Sequence, residues 1–167
     1  PDLTSGGTNR ALAEFVRRAL LVPSDGNTDA YPTVLAQWEI ARELTALEVP
    51  VAFSAELDGK AYITTCDVLN KFVEQSPPQL NELPVAIVAH PDHAWRCWAL
   101  ATLAGYNAFV PDPGSVPDFK WSDFGCNSEG YDESSVQEHT VHSDIFCPKE
   151  SQLQEAVLRA NPWLEAD

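Results

Sequence analysis

Pro84-Val-Ala-Ile-Val-Ala-His90-Pro-Asp-His93-Ala-Trp-Arg96-Cys-Trp-Ala-Leu-Ala-Thr-Leu-Ala-Gly105-Tyr-Asn-Ala-Phe-Val-Pro111 decides the fold. Val85 to Ala89 is a run of small and β-branched apolar residues, and His90-Pro91-Asp92-His93 breaks it. Trp95, Trp98, Leu100 and Leu103 then recur at helical spacing until Gly105, and Ala108-Phe109-Val110 opens a second apolar run. Strand, helix and strand in that order make one βαβ unit, because parallel strands need a crossover to return the chain to its starting edge. Open α/β sheets bind ligands beyond the carboxyl ends of their strands. The polar turn at 90–93 falls at that position.

Working outward, Arg10 to Leu21 places Leu12, Phe15, Val16, Ala19 and Leu20 at the spacing of an amphipathic helix. Tyr31 to Glu48 predicts a second helix, with Pro32 in its first turn and Val34, Leu35, Trp38, Ala41, Leu44 and Ala46 as the buried stripe. Val49 to Ala55 reads as a short buried strand and Asp58-Gly59 as a turn. Ala61 to Gln75 predicts a third helix with Ile63, Val68, Leu69, Phe72 and Val73 facing inward. Residues 111–147 are punctuated by proline and glycine, carry Phe119, Trp121, Phe124 and Tyr131, and are rich in acids. A loop this long is usually functional or disordered, and its aromatic content argues for an ordered lid. Pro148 to Ala160 predicts a last helix, ended by Asn161-Pro162. This alternation predicts one domain over residues 1–167, an α/β fold in three layers around a mainly parallel sheet.

Composition narrows the partners. The 167 residues hold 10 Lys and Arg against 25 Asp and Glu, a net charge of −15. Phosphate backbones and anionic membranes attract clustered cations, and the basic residues here are scattered. No nucleic-acid partner and no membrane partner is therefore expected. No apolar run approaches the roughly 20 residues that span a bilayer, and no basic-then-apolar leader opens the sequence. A soluble, cytoplasmic protein is expected. Of the four cysteines, Cys66 and Cys97 fall in helices and read as buried thiols, whereas Cys126 and Cys147 bracket the acidic segment. A disulfide between the last two would instead point to secretion.

Three groups could carry chemistry. Asp92, His93 and Arg96 open the helix after the first strand of the βαβ unit. Helix N-termini present free N–H groups and partial positive charge. An anion there would gain both, Arg96 would clamp it, and His93 would carry protons near neutral pH. Asp92 reads as the helix cap, and His90, before Pro91, as a further ligand contact that precedes the helix. Thr64, Thr65 and Asp67 start the preceding helix and could offer hydroxyl donors to the same crevice, although plain helix capping is the stronger explanation of them. Trp121, in the long loop, is the aromatic best placed to touch a ligand. Lastly, the four histidines form two His-x-x-His pairs, His90/His93 and His139/His142, which with Cys97 nearby could hold Zn²⁺. None of these residues names a cofactor.

The pattern of an apolar strand, His93, Arg96 and an Ala/Leu-rich helix ending at Gly105 resembles the YdcF/SanA/ElyC-like family of α/β domains. The likeness covers about residues 31–112. His93 and Arg96 would sit on the family's His and Arg, and Thr65 and Asp67 match its Asn-Thr-x-Glu helix start, with Thr64 where the family has Asn. Ala36 stands where the family has an acid, and its Gly-rich first strand is reduced to Ser5-Gly6-Gly7. The resemblance implies a Rossmann-like fold and a small anionic or nucleotide-like ligand at the strand ends. The expected function is a small-molecule enzyme or ligand-binding domain. The alternatives are a non-catalytic acidic interaction protein that uses the aromatic loop 111–147, or a His-x-x-His metal-binding protein.

Overall fold

The computed structural model describes residues 7–19, 32–59, 63–75, 82–112, 116, 152 and 155–160. The described elements run α1 (Gly7–Ala19), β1 (Leu35–Gln37), α2 (Trp38–Ala46), β2 (Phe53–Ala55), α3 (Thr65–Gln75), β3 (Pro84–Ala86), α4 (Pro91–Leu103) and β4 (Asn107–Phe109). Residues 155–160 are helical as well. β1 pairs β2 in parallel, Leu35 opposite Phe53, and β3 pairs β4 in parallel, Pro84 opposite Asn107. The fold is thus mixed α/β with parallel strands joined by helices. Among the described residues the ladders run within each pair, as two two-stranded sheets.

One expected helix divides. The stretch from Tyr31 to Glu48 is not a single helix: Leu35–Gln37 is strand β1, and α2 starts only at Trp38. Gln37, at the helix cap, is extended (φ −64°, ψ 147°). The apolar residues Val34, Leu35 and Ala36 suit a buried strand as well as a helix face. The tie is broken by a distant donor: the Ala52 N–H reaches the Val34 carbonyl at 2.9 Å and starts the ladder to β2. Tertiary pairing of this kind overrides local propensity.

The main core forms where α1 and α2 meet over β1. Ala13, Val16, Ala36, Ala41, Leu44 and Val49 are buried together, with Val88 packed against them. Val88 follows β3, so the second strand pair is anchored on the core of the first. Leu12 and Phe15, on the same helix, bury Val116 beyond β4. A further cluster joins Trp38, Ala55 and Ile63 to Val68 and Phe72 of α3. There Phe53 and Phe72 meet edge to face, 6.2 Å between ring centres. Val73 departs from the expected inward stripe and is 46% exposed. Cys66, expected to be a buried thiol, is exposed; Cys97 is half-buried, and both are free.

Among the described residues of α4 the buried ones are alanines. Ala94, Ala99 and Ala101 are buried, while Leu103 is exposed, as is Phe109 of β4. β3 and β4 are therefore not the fully buried strands that their apolar residues predict. Trp98 ties helix to strand through its indole N–H, which donates to the Ala108 carbonyl at 3.1 Å. The expected cap, Asp92, lies inside the helix. α4 starts one residue earlier at Pro91, whose fixed φ and missing N–H suit the first helical position. Among the described residues no helix is long and apolar enough to cross a membrane.

α2 and α4 end in the same hydrogen-bond pattern with different residues. After α4, Tyr106 N–H bonds the Ala101 carbonyl and Gly105 N–H the Thr102 carbonyl, with Gly105 at φ +91°. After α2, Val49 N–H bonds the Leu44 carbonyl and Glu48 N–H the Thr45 carbonyl, with Glu48 at φ +60°. Both are Schellman ends, which place a left-handed residue just past the helix. Glycine takes that conformation freely, and a side chain does so at about 1–2 kcal/mol. A Cβ at Gly105 would meet nothing within 4 Å, so only the backbone conformation opposes it. Gly105→Ala should therefore destabilise by about 1 kcal/mol and Glu48→Gly should stabilise by a similar amount. Urea unfolding of the two variants reads both signs, and equal signs would contradict this account.

Candidate functional site

A helix that follows a strand begins at that strand's carboxyl end. α3 follows β2 and α4 follows β3, and their first turns meet. Arg96 Nη1 donates to Thr65 Oγ1 at 3.0 Å, across 31 residues of sequence. Arg96 Nη2 lies 3.0 Å from His93 Nδ1, and His93 Nε2 lies 3.3 Å from Thr65 Oγ1. All three contacts are part-buried. Two residues from α4 and one from α3 thus close a triangle.

Donor chemistry fixes the protons. A guanidinium only donates, so His93 Nδ1 must be an unprotonated acceptor. The neutral ring then carries its proton on Nε2, from which it donates to Thr65 Oγ1. That oxygen accepts from both Arg96 and His93, and the Thr65 hydroxyl proton is left to donate to a third oxygen.

The flanking residues shape the turns. Asp67 Oδ2 accepts from the Thr64 N–H at 3.0 Å and from Thr64 Oγ1 at 2.7 Å, while Asp67 N–H donates to Thr64 Oγ1 at 3.1 Å. This reciprocal capping box fixes the start of α3 and with it Thr65, the first helical residue. Thr64 is exposed and Asp67 half-buried, the two are bonded to each other, and Thr65 is the one of the three that enters the triangle. On the other side, the His90 carbonyl accepts from the N–H groups of His93 and Ala94, both at 2.8 Å, and so starts α4. The expectation that His90 precedes the helix is met. Of Asp92 only the backbone is described. Trp121, His139, His142, Cys126, Cys147 and nearly all of the loop 111–147 lie outside the described residues. Among the described residues no group of three or more His, Cys, Asp and Glu could hold a metal ion.

A second polar group lies at the carboxyl ends of β1 and β2, and sequence reading missed it. Gln37 ends β1, and its side-chain N–H donates to Glu39 Oε2 at 2.7 Å in the first turn of α2. Within β2, Ser54 Oγ donates to Oε1 of Glu56, the residue just past the strand, at 2.6 Å. Arg42 stacks over the Trp38 ring, 4.7 Å from its centre. A groove of about 510 Å³ runs between α2 and β2 and includes Trp38, Arg42, Phe53, Ser54 and Glu56 in its walls. Burial raises the proton affinity of Glu39 above the usual carboxylate range, and Glu56 adds to this, against lowering by its own backbone, Gln37 and Arg42. The residues escaped notice because a helix over 31–48 puts Glu39 in mid-helix instead of at a strand end. A break in helical reading at Val34–Ala36 was the available signal.

Glu39 makes stability depend on pH. A carboxyl that binds its proton more tightly folded than unfolded favours the folded state fully below the ordinary carboxyl pKa. That contribution is lost as pH rises through the raised folded value. Glu39→Gln keeps the acceptor for Gln37 and removes the ionisation. It should raise the melting temperature at about pH 7 and leave it unchanged at about pH 4, where both side chains are neutral. Calorimetric melting at the two pH values checks this, and an equal gain at both would assign the effect to packing instead.

Compared with known proteins, the chain matches no protein-family model, no curated protein and no solved structure.

Proposed function

We propose that this chain is a small-molecule enzyme or ligand-binding domain that takes an anionic or nucleotide-like ligand at the carboxyl edge of a Rossmann-like, three-layer α/β domain of the YdcF/SanA/ElyC-like kind. Arg96 clamps the anion, Thr65 donates its hydroxyl proton, and His93 is the acid–base group. The observation that carries this reading is the meeting of Thr65, His93 and Arg96 at the first turns of two helices. Residues 28 and 31 positions apart in sequence converge at the starts of helices that follow strands, the position at which open α/β sheets bind ligands. The N-terminal N–H groups of α3 and α4 add positive potential there. Among the described residues, no other cluster combines a guanidinium, an imidazole and a hydroxyl.

Removal of one partner tests the assignment. Hydrogen bonds to charged groups contribute about 1.5–3 kcal/mol. Arg96→Ala should therefore weaken binding of sulfate, phosphate or a nucleoside monophosphate by about ten- to a hundredfold, and His93→Ala by about tenfold. Titration calorimetry reads the affinities, and circular dichroism checks that the fold is retained. Unchanged affinity for all three probes in both folded variants would reject the site.

A further inference from the structure

We propose that the outer edge of β2, together with the face of α2 beside it, is a docking groove for an extended, basic peptide that adds to the sheet as a further strand. No residue of the Thr65–His93–Arg96 triangle lines this groove, so the surface is independent of the anion site. The groove, of about 510 Å³, is walled on one side by Trp38, Ala41, Arg42 and Thr45. Their spacing of i, i+3, i+4 and i+7 is a single face of α2. The other wall is residues 51–54, four in succession, and among the described residues nothing from β1 takes part. Successive side chains of an extended chain leave on opposite faces. A groove that touches every residue therefore follows the strand's edge, and that edge is the one turned away from β1.

Backbone direction identifies what that edge offers. The Val34 carbonyl accepts the Ala52 N–H at 2.9 Å, so Val34 is turned toward β2. Alternate residues of a strand direct their N–H and C=O to the same side, which turns Ala36 toward β2 as well. In a parallel ladder a residue that faces its partner strand bonds the two neighbours of its opposite number. Ala36 stands opposite Ser54. Phe53 and Ala55 therefore carry the ladder, and the N–H and C=O of Ser54 point outward. Among the described residues no backbone group meets them. An open edge of this kind is a template for another chain. In strand addition the main-chain bonds supply affinity, and pockets for alternate side chains supply specificity. Trp38, Ala41 and Val51 give the groove apolar surface for such a side chain.

Charge selects the peptide. Glu56, exposed just past β2, also lines the groove, and Ser54 Oγ orients its carboxylate. Glu39 interacts electrostatically with both Arg42 and Glu56. The cation in these walls, Arg42, lies over the Trp38 ring. With 25 acids against 10 Lys and Arg in the whole chain, the overall field draws cationic partners in. A segment that alternates apolar and basic residues therefore fits, one set of side chains beside Trp38 and the other toward the acids. A second copy of this chain would bring the same negative field to the edge and is the poorer occupant.

The probes are fluorescently labelled peptides of alternating Val and Lys and of alternating Val and Glu, titrated into the whole chain and read by anisotropy. The Val-Lys peptide should bind saturably, and the Val-Glu peptide at least about tenfold more weakly. N-methylation at every Val, or at every Lys, removes the peptide's donors along one of its edges and leaves the protein untouched. One of these two versions should lose about tenfold or more in affinity. Ser54→Pro removes the outward N–H and spares the ladder to β1, since an edge strand tolerates proline where its N–H faces away. It should bind the Val-Lys peptide about tenfold more weakly than Ser54→Ala, which loses the same hydroxyl and keeps the N–H. Circular dichroism verifies folding, and the N-methylated peptides decide the matter if Ser54→Pro does not fold. No saturable binding of the Val-Lys peptide, equal binding of the Val-Glu peptide, or full affinity of both N-methylated versions overturns the proposal. A folded Ser54→Pro that binds like Ser54→Ala overturns it as well. So does sedimentation that finds a dimer which Ser54→Pro separates, because the edge then belongs to a second copy.

Discussion

Parallel pairing is the constraint on which the remaining architecture depends. Leu35 opposite Phe53 and Pro84 opposite Asn107 run in the same direction within each pair. Each strand must then be followed by a crossover that carries the chain back, and in this protein α2 and α4 are those crossovers. Helices that follow strands start at the carboxyl edge, and their unpaired N–H groups gather there. The contact of Thr65 with Arg96 follows from this geometry. It is not the source of the fold. A hydrogen bond to a charged group contributes about 1.5–3 kcal/mol, no more than burial of one large side chain such as Phe15 or Leu44, and the apolar clusters bury many such groups. The apolar clusters of α1, α2 and α3 hold the edge in place, and the triangle occupies the position they create.

Much of this was legible in the residues, and the failures have a common physical cause. The βαβ unit at 84–109, the stop at Gly105 and the turn at Asp58-Gly59 depend on local pattern and on backbone freedom at single positions. Both glycines have positive φ. Strand β1 depends on a partner. Val34, Leu35 and Trp38 fit a helical stripe as well as a strand followed by a cap, and only the ladder bond from Ala52 decides between them. Glu39 was missed by the same route, since a residue in mid-helix has no reason to lie at a strand end. Val73 shows a different limit. Its spacing matches the inward stripe, but α3 packs through Val68 and Phe72 with no fully buried residue. The stripe was wider than the contact.

Within the site, local pattern and tertiary placement divide the residues in the same way. Thr64, Thr65 and Asp67 are recognisable as a helix start from their spacing. Which of the hydroxyls stays in the cap and which enters the site follows from the capping box: Thr64 faces Asp67, and Thr65 begins the helix. His93 and Arg96 lie three apart and share a face of α4, as i, i+3 residues do. Their side chains touch for that reason. The meeting with Thr65 is a property of the fold alone.

The net charge limits how an anion site can work in this chain. With 25 acids against 10 Lys and Arg, the overall field repels an approaching anion. Long-range steering therefore cannot be the basis of the proposed binding. In physiological salt that field decays over about 8 Å, and contacts at hydrogen-bond distance act well inside this length. The proposed site must then rely on donors in direct contact, and Arg96, the Thr65 hydroxyl and the helix N–H groups are of that kind. Glu39, beside Gln37 at the end of β1, marks the opposite end of the argument. Its carboxyl holds its proton more readily than usual, chiefly because it is buried. An acidic protein can keep an anion site if nearby acids are buried or bonded, and Asp67, locked by Thr64 in the cap, is bonded in this way.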